Sequence, residues 1–555
     1  MSLKFPISLA GKRGGIAAAA AAAGPCQYQG HCEPVDTTTT YLFAEDCSVI
    51  KESDATALPQ NWGNSQGAYS LHIGSNLTDW GNSLFRNNPN IEQVYIPATS
   101  TNCGIYAFWG ATNLHTVTFG GMYHSIGSYS FRYCNNLTRV NFCSPVPPTG
   151  FIGGSYGTFV DCPNLTEVHV PENGWGGIDT FLGLTVVRDL PPIAEEDVST
   201  TATFAYDIAG NYAYGREGDI PYNWLTGNDN VYKLEIGPSC TYIAQWAFRN
   251  SNNIGHPDYH YGLTIPGNVT EVATMAFWYS SIFGPLVFEE GVQTIGNQAF
   301  EAVAAGARIS NLVIPSTVTY IGDKAFYESL IGYDADGNNT NIHLVLPDGL
   351  TYIGGDAFAD RWSKSYYTGG GLHIPDSVTY CGGGIARVGA APYNQKWNGP
   401  LYIGSGVPVV GGQFARSAQG FTSITFGAGS NLQTVGNYAF EATKTFRGDC
   451  VLPDSVTTIG LNAFRDMGID GNFIMGSNLT SIANLAFAAN WGRPDFYIAS
   501  PATAFTGTGA FANTANTQKL YVTSNHLSGY DATWKSNQQC ACVVEEWTSY
   551  PDPMP

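Results

Sequence analysis

One apolar frame recurs along most of the chain, and it constrains the fold more than any other feature of the sequence. Each copy reads Leu-x-Ile followed by Pro, then Val-Thr-x-Ile-Gly, and then the pair Ala-Phe; well-formed copies occupy 312–326 and 344–358. The phenylalanines mark the period, since Phe277 and Phe300 are 23 residues apart. A fixed period of about 20 to 50 residues is typical of solenoids and other repeat architectures.

The residue types of one copy explain the frame. Leu-x-Ile alternates apolar and polar positions, as in a short strand with one buried face, and Pro ends that strand because it has no N–H to donate. The glycine after the second element permits a tight bend, and Ala-Phe places a small and a large side chain in the interior. One copy cannot bury its phenylalanine alone, but stacked copies can, with a rise of about 4.8 Å for each rung. The sequence therefore predicts a repeat solenoid with one continuous parallel sheet.

The frame resembles the BspA-type leucine-rich repeat, also called the Treponema pallidum-type repeat. The stretch from Cys162 to Pro171, Cys-Pro-Asn-Leu-Thr-Glu-Val-His-Val-Pro, is similar to the C-x-x-L-x-x-V-x-I-P junction of that family. The resemblance extends over roughly 71–174 and 232–525, and the copy around Cys381 departs most from it. It implies a leucine-rich-repeat-like solenoid that is mainly β, with short parallel strands and an irregular or short helical convex side.

The repeat blocks and the segments between them predict a domain organisation. The Pro-rich, acidic stretch 189–197 carries no repeat frame and is typical of a linker, and solenoids need caps over their end rungs. We therefore predict, in chain order, an N-terminal arm and cap at 1–70, a first leucine-rich-repeat block at 71–188, a linker and cap at 189–231, a second leucine-rich-repeat block at 232–519, and a C-terminal cap and tail at 520–555.

The charge balance excludes several classes of protein. The chain of 555 residues has 24 Lys and Arg against 44 Asp and Glu, a formal net charge of −20, and is 13% aromatic. Scattered basic residues in an acidic chain give no footprint for nucleic acid, and the aromatic content argues against disorder. The longest apolar run without charge, 16–23, is far shorter than the roughly 20 residues of a membrane-spanning helix. We therefore expect no nucleic-acid partner and no membrane insertion.

The sequence contains no persuasive catalytic or cofactor motif. It lacks the phosphate-binding G-x-x-x-x-G-K-[ST] and the zinc-binding H-E-x-x-H. The stretch 334–338, Asp-Ala-Asp-Gly-Asn, partly resembles a calcium loop but lacks the downstream Glu, so a polar turn is the favoured interpretation. We expect no enzymatic activity, no cofactor and no bound metal.

The middle residue of each Leu-x-Ile triplet is predicted to point outward, because side chains alternate along a strand. Uncharged aromatic surfaces are typical of binding faces, whereas Val and Thr at these positions also suit strand propensity alone; both interpretations stay open. These residues, called the outward row below, are His72, Tyr95, Thr118, Asn141, His169, Glu235, Thr264, Val287, Val313, Val345, His373, Tyr402, Thr425, Val451, Ile474, Tyr497 and Tyr521. The candidate binding residues in this exposed strand row are Tyr95, His169, His373, Tyr402, Tyr497 and Tyr521.

The chain has twelve cysteines, and seven of them fall into two groups. Cys26 with Cys32, and Cys540 with Cys542, lie near the termini and are candidates for disulfides in an oxidising compartment. The cysteines at repeat positions are predicted to be small buried apolar residues: Cys134, Cys162 and Cys240.

The N-terminal segment matches a secretory signal poorly. Its basic pair, Lys12-Arg13, comes after the apolar pair Leu9-Ala10, and its apolar core is only polyalanine. Two interpretations stay open: a flexible or helical lead-in, and an attachment arm, 1–25, that binds a neighbouring subunit.

The function follows mainly from the resemblance. BspA-like proteins are typically surface-exposed adhesins that contact host proteins, glycans or other cells. We therefore expect a non-enzymatic, extracellular or surface-exposed protein whose solenoid face binds a protein or a glycan. The alternative is a structural subunit of a virion or an extracellular filament, which assembles with copies of itself through its N-terminal arm and repeat surface. The expected location is accordingly extracellular, on the cell surface or on the virion surface.

Overall fold

The computed structural model divides the chain into two compact units, Met1–Ser199 and Thr200–Pro555. The N-terminal arm 1–25, Cys26, Cys32 and the calcium-loop-like stretch 334–338 lie outside the described residues, so their assignments stay predictions. The structure describes residues 34, 36, 38–60, 62–64, 67–77, 80–97, 102–120, 125–148, 151–152, 157–192, 200–256, 258, 260–301, 308–329, 331–332, 344–359, 370–388, 397–490, 494–513 and 519–547.

The described part of the first unit is built of short strands. They are β1 (Thr40–Phe43), β2 (Val49–Ser53), β3 (Ser70–His72), β4 (Gln93–Pro97), β5 (Asn102–Cys103), β6 (Thr116–Gly120), β7 (Ser125–Gly127), β8 (Arg139–Phe142), β9 (Phe151–Ile152), β10 (Glu167–Pro171), β11 (Thr180–Phe181) and β12 (Leu184–Leu190).

Two ladders run along the first unit. The larger sheet has the order β11-β12-β10-β8-β6-β4-β3-β1-β2, and the smaller has the order β5-β7-β9. Strands β3, β4, β6, β8, β10 and β12 pair in parallel, with one register shift between β10 and β12. Strand β1 pairs antiparallel with both β2 and β3, and β11 pairs antiparallel with β12. The antiparallel strands lie at the two ends of the larger sheet, where a solenoid needs a cap.

The second unit repeats this plan over more rungs. Its strands are β13 (Thr203–Tyr206), β14 (Tyr212–Arg216), β15 (Lys233–Glu235), β16 (Tyr242–Ile243), β17 (Leu263–Ile265), β18 (Glu271–Val272), β19 (Phe283–Phe288), β20 (Thr294–Ile295), β21 (Arg308–Val313), β22 (Tyr320–Ile321), β23 (Tyr352–Ile353), β24 (Leu372–Ile374), β25 (Tyr380–Cys381), β26 (Gly399–Ile403), β27 (Val409–Val410), β28 (Phe421–Phe426), β29 (Thr434–Val435), β30 (Cys450–Val451), β31 (Thr458–Ile459), β32 (Phe473–Met475), β33 (Ser481–Ile482), β34 (Phe496–Ile498), β35 (Lys519–Val522) and β36 (Val543–Glu546).

The prediction of a repeat solenoid with short parallel strands is confirmed, but the prediction of one continuous sheet is wrong. In the second unit the Leu-x-Ile strands form separate parallel sheets, β17-β19-β21, β24-β26-β28 and β30-β32-β34-β35-β36, after the antiparallel set β14-β13-β15. The Val-Thr-x-Ile strands form ladders of their own, β16-β18-β20-β22-β23-β25 and β27-β29-β31-β33. Two elements of each repeat therefore pair with the next rung, not one.

A column of stacked phenylalanines forms the centre of each unit. In the second unit Phe300 stacks on Phe277 and Phe326, with ring centroids 5.0 and 5.6 Å apart. In the first unit Phe108 stacks on the phenylalanines before and after it at 5.1 and 5.3 Å. All of these rings are buried. The column confirms that the periodic Phe of the sequence is the residue that a rung buries against its neighbours.

Two residues of the Ala-Phe turn have a left-handed backbone conformation that the sequence does not predict. Lys324 and Glu328 flank Ala325-Phe326-Tyr327 and have φ values of 54° and 57°. Their N–H groups donate to the next rung, to the carbonyls of Gly355 at 2.8 Å and Ala359 at 3.0 Å. A left-handed conformation costs a non-glycine residue roughly 1–2 kcal/mol. The hydrogen bonds between rungs offset this cost, because they give the backbone N–H groups of the turn their partners.

The glycine of Val-Thr-x-Ile-Gly serves a different purpose from the one predicted. Gly322 and Gly354 do not have the positive φ of a tight bend. A Cβ on Gly322 would collide with Asn297 of the preceding rung, and a Cβ on Gly354 would collide with the backbone of Asp323. The glycine is therefore required because successive rungs approach closely at this corner.

A short helix follows the last repeat. Helix α1 (Ala532–Asn537) begins at Asp531, whose carboxylate accepts a hydrogen bond from the Trp534 N–H at 2.8 Å, as at other helix N-caps. Trp534 is buried, and its ring lies 5.1 Å from that of Phe505 and 4.6 Å from that of Tyr530. The other helical segments of the described chain are single 3₁₀ turns at Ala502–Ala504 and Leu527–Gly529.

Candidate binding surfaces

The strongest candidate in the outward row is a stacked pair on β24 and β26. His373 and Tyr402 are partners in the parallel register, and their rings stack with centroids 4.3 Å apart and planes 8° apart. His373 is exposed and Tyr402 is half-buried. The Tyr402 hydroxyl donates to Asp376 Oδ1 at 2.9 Å, which fixes the ring. The pair presents aromatic edges and one carboxylate to solvent.

A second pair lies near the C-terminal end of the same unit. Tyr497 on β34 and Tyr521 on β35 are in register and stack at 4.7 Å, and the Trp547 ring meets Tyr497 edge-on at 5.4 Å. Lys519 lies over the Tyr521 ring at 5.8 Å and pairs with Glu545 at 3.1 Å. This surface therefore combines half-buried aromatic rings with one ion pair at its rim.

The Val-Thr-x-Ile ladder carries a third aromatic stack, which sequence reasoning missed. Tyr320, Tyr352 and Tyr380 are register partners on β22, β23 and β25, with ring centroids 4.4 and 4.5 Å apart. Tyr380, at the end of the stack, is 49% exposed. Burial raises the pKa of Tyr352 to about 12, and the nearby Asp323 carboxylate adds to the shift. The signal was the Tyr two residues before the glycine of this element, which recurs in three copies at positions 320, 352 and 380.

The outward row of the first unit is not exposed, which corrects the sequence prediction for Tyr95 and His169. Their exposed fractions are 3% and 5%. The strands that carry them, β4 and β10, are buried on both faces along nearly their whole length. Alternation determines which face of a strand a side chain occupies, but it does not determine whether that face is covered.

Several side chains of the buried row in the first unit contact partners within that unit. The His72 and Tyr95 rings stack at 4.7 Å, and Asn141 Nδ2 donates to Thr118 Oγ1 at 3.0 Å. His169 Nδ1 lies 2.9 Å from Asp189 Oδ1, so its imidazole is held by a carboxylate within the unit. These contacts give the row a structural role in the first unit.

Within the described residues, no group of three or more His, Cys, Asp or Glu side chains is placed to hold a metal ion. No helix in the described part of the chain is both long and apolar enough to span a bilayer.

The cysteines divide by position. Cys540 and Cys542 are joined to each other by a disulfide. Cys47 and Cys143 each take part in a disulfide as well. The cysteines predicted to be small buried residues are buried free thiols: Cys134, Cys162 and Cys240.

Comparison with known proteins identifies the repeat. The sequence model of the BspA type leucine rich repeat region matches 60–166, 219–333 and 412–540, in six copies. No curated protein sequence matches the chain.

Several solved structures are similar to this one. A leucine-rich repeat protein from Bacteroides ovatus is 14% identical over 93% of this chain and 100% of its own, with a TM-score of 0.36. The pneumococcal vaccine antigen PcpA is 15% identical over 56% of this chain and 85% of its own, with a TM-score of 0.29. A leucine rich cell surface protein from Faecalibacterium prausnitzii is 14% identical over 91% of this chain and 97% of its own, with a TM-score of 0.25.

Proposed function

The chain belongs to the BspA-type leucine-rich repeat family, and from that premise we propose that it is an adhesin-like binding protein, displayed outside the cell or on its surface, that contacts a protein or a glycan. The proposed contact surface is the outward row of the second unit, at the pairs His373–Tyr402 and Tyr497–Tyr521. Repeat solenoids use such extended surfaces for binding, while their cores serve stability.

The observation that carries the proposal is the in-register stacking of partly exposed aromatic rings. Each pair is held in place before any ligand arrives, by ring stacking and, for Tyr402, by the hydrogen bond to Asp376. Rigid Tyr side chains supply contact area at a small entropic cost, and they are enriched at the centres of interfaces. The exposed valines of the same row, such as Val345, offer neither ring edges nor hydroxyls.

The proposal is tested by binding of the full chain to a printed array of neutral and acidic glycans and to a panel of immobilised extracellular-matrix proteins. For whichever ligand binds, the double variants His373→Ala/Tyr402→Ala and Tyr497→Ala/Tyr521→Ala are compared with wild type. Loss of a hot-spot pair weakens binding by roughly 30-fold, the equivalent of about 2 kcal/mol.

Val345→Ala is the matched control, because Val345 belongs to the same row and is 59% exposed. We expect it to change affinity by about twofold or less. Binding that survives both double variants would move the contact surface elsewhere, and the Tyr320, Tyr352 and Tyr380 stack would then be substituted next. Absence of binding to every arrayed glycan and protein would count against the adhesin-like role itself.

A further inference from the structure

Two free cysteines occupy the same position of consecutive rungs in the first unit. Cys134 and Cys162 each follow a column phenylalanine by three residues, Phe131 and Phe159. Those two phenylalanine rings stack with centroids 5.4 Å apart, so the rungs that carry the cysteines are direct neighbours. Both cysteines are buried.

The backbone register places the two cysteines opposite each other. Phe131 N–H donates to the Thr158 carbonyl at 3.0 Å, and Tyr133 N–H donates to the Val160 carbonyl at 3.3 Å. In this pattern residue 134 lies beside residue 162 on the next rung. Adjacent rungs are separated by about 4.8 Å, which lies within the Cα–Cα range of about 4.4–6.8 Å that disulfides span.

The thiols interact with each other as well as with the backbone. Cys134 Sγ donates to the Phe108 carbonyl at 3.2 Å, and Cys162 Sγ donates to the Phe131 carbonyl at 3.0 Å. The neighbouring Cys162 sulfur, and after it burial, raise the pKa of Cys134, whereas the neighbouring Cys134 sulfur lowers the pKa of Cys162. Cys162 is also the more exposed of the two, so it is the sulfur better suited to react first.

The other buried thiols lack this arrangement. The rung before Cys134 has Ala111 at the equivalent position, and the rung before that has Asn88. Cys240 is buried in the second unit, and burial is the main cause that raises its pKa, with no neighbouring sulfur among the causes. The cysteine pair is therefore a local feature of two rungs.

We propose that Cys134 and Cys162 form an oxidisable dithiol that closes into a disulfide between rungs on exposure to a small-molecule disulfide such as oxidised glutathione. The Cys162 thiolate attacks one glutathione sulfur, which breaks the glutathione S–S bond and releases one glutathione thiolate. Cys134 then loses its proton and attacks Cys162 Sγ, which expels the second glutathione. Two protein thiols are oxidised to one disulfide, and oxidised glutathione is reduced to two molecules of glutathione. This inference is independent of the proposed binding function.

The test is non-reducing peptide mapping by mass spectrometry on the full chain. The chain is incubated with oxidised glutathione in its native state and, in parallel, refolded from urea in a glutathione redox buffer. We expect a peptide pair linked through Cys134 and Cys162, and an increase in the Tm of the first unit on the order of 5 °C, because the link closes a loop of roughly 29 residues in the unfolded chain.

Single-cysteine variants test whether Cys162 reacts with glutathione before Cys134 does, which closeness of the two sulfurs alone does not predict. Cys134→Ala is expected to trap glutathione on Cys162, because the resolving thiol is gone, whereas Cys162→Ala is expected to leave Cys134 largely unmodified. Cys240→Ala is the matched control and retains the link. Two free thiols at these positions after both treatments, or a link from either one to a different cysteine, would overturn the proposal.

Discussion

The two units use one repeat frame but treat the outer face of the strand ladder differently at most rungs; Ile474 on β32 is an exception in the second unit, because it is buried. In the first unit β4, Gln93–Pro97, is buried along both faces, whereas in the second unit β24, Leu372–Ile374, buries its two apolar residues and exposes the one between them. Both units contain a buried column of phenylalanines, which Ile385 interrupts in the second unit. The difference shows that the frame specifies the core of a rung, and that the outer face is free to serve either stability or contact.

Substitutions in the column of stacked phenylalanines should destabilise the two units equally, and they have the largest expected effect on stability. Phe108→Ala in the first unit and Phe300→Ala in the second each remove a buried ring stacked on both sides. We expect each to destabilise its own unit by about 3–5 kcal/mol. Hydrogen exchange with peptide mass spectrometry reports the two units separately. Effects that differ by more than twofold would mean that the columns are not equivalent.

Substitutions in the outward row should destabilise the first unit much more than the second. Tyr95→Ala removes a buried ring that stacks on His72, and we expect it to destabilise the first unit by about 3 kcal/mol. Tyr402→Ala removes a half-buried ring at the corresponding position of the second unit, and about 1 kcal/mol or less is expected. The measurement is again hydrogen exchange resolved by unit. Equal losses would show that the row of the second unit is also a structural element.

The sequence predicts the inner face well and the outer face poorly, for a physical reason. Val94-Tyr95-Ile96 and Leu372-His373-Ile374 have the same alternation, and both pairs of flanking residues are buried as predicted. Burial of the middle residue depends on whether another part of the chain covers it, and periodicity holds no information on that.

The left-handed turn residues were missed for a similar reason. Lys324 and Tyr106 occupy such positions, and neither residue type marks a positive φ in the way that glycine does. The hydrogen bonds between rungs impose the conformation, and these exist only once the rungs stack. The third aromatic stack was overlooked because Val-Thr-x-Ile-Gly was predicted to be a short second element that ends in a bend, with no pairing between successive copies.

A smaller effect is expected from a single hydroxyl in the same row. Thr118→Val removes the acceptor for Asn141 Nδ2, and both residues are buried. An amide that loses a buried partner costs about 1–3 kcal/mol. Thr425→Val is the matched variant in the second unit, where the threonine is exposed, and we expect a change within about 0.5 kcal/mol. Unfolding in urea measures both. A neutral Thr118→Val would show that the polar contacts of the first unit contribute little.

The smallest expected difference between the units concerns the hydrogen-bond partners of the side chains in the outward row. In the first unit Asn141 donates to the buried Thr118, whereas in the second Tyr402 donates to Asp376 near the surface. The backbone N–H of Ser405 and, next, the Tyr402 hydroxyl hold the pKa of Asp376 below its ordinary value. The stabilisation from this lowered pKa is therefore present above the ordinary aspartate pKa of about 3.9 and is lost as the pH falls through the pKa of the folded state.

Tyr402→Phe removes the second of these donors and keeps the ring stack. We expect the pKa of Asp376 to rise and yet to remain below the ordinary value, because the Ser405 N–H still donates from 2.6 Å. A carbon-13 NMR titration of the aspartate carboxylates measures the change, with Asp219 as an internal control, since its lowered pKa depends mainly on the Thr241 N–H. An unchanged pKa of Asp376 would mean that the tyrosine is not held by this bond in solution. The His373–Tyr402 surface would then depend on stacking alone, and it would be less rigid before a ligand binds than the buried row of the first unit.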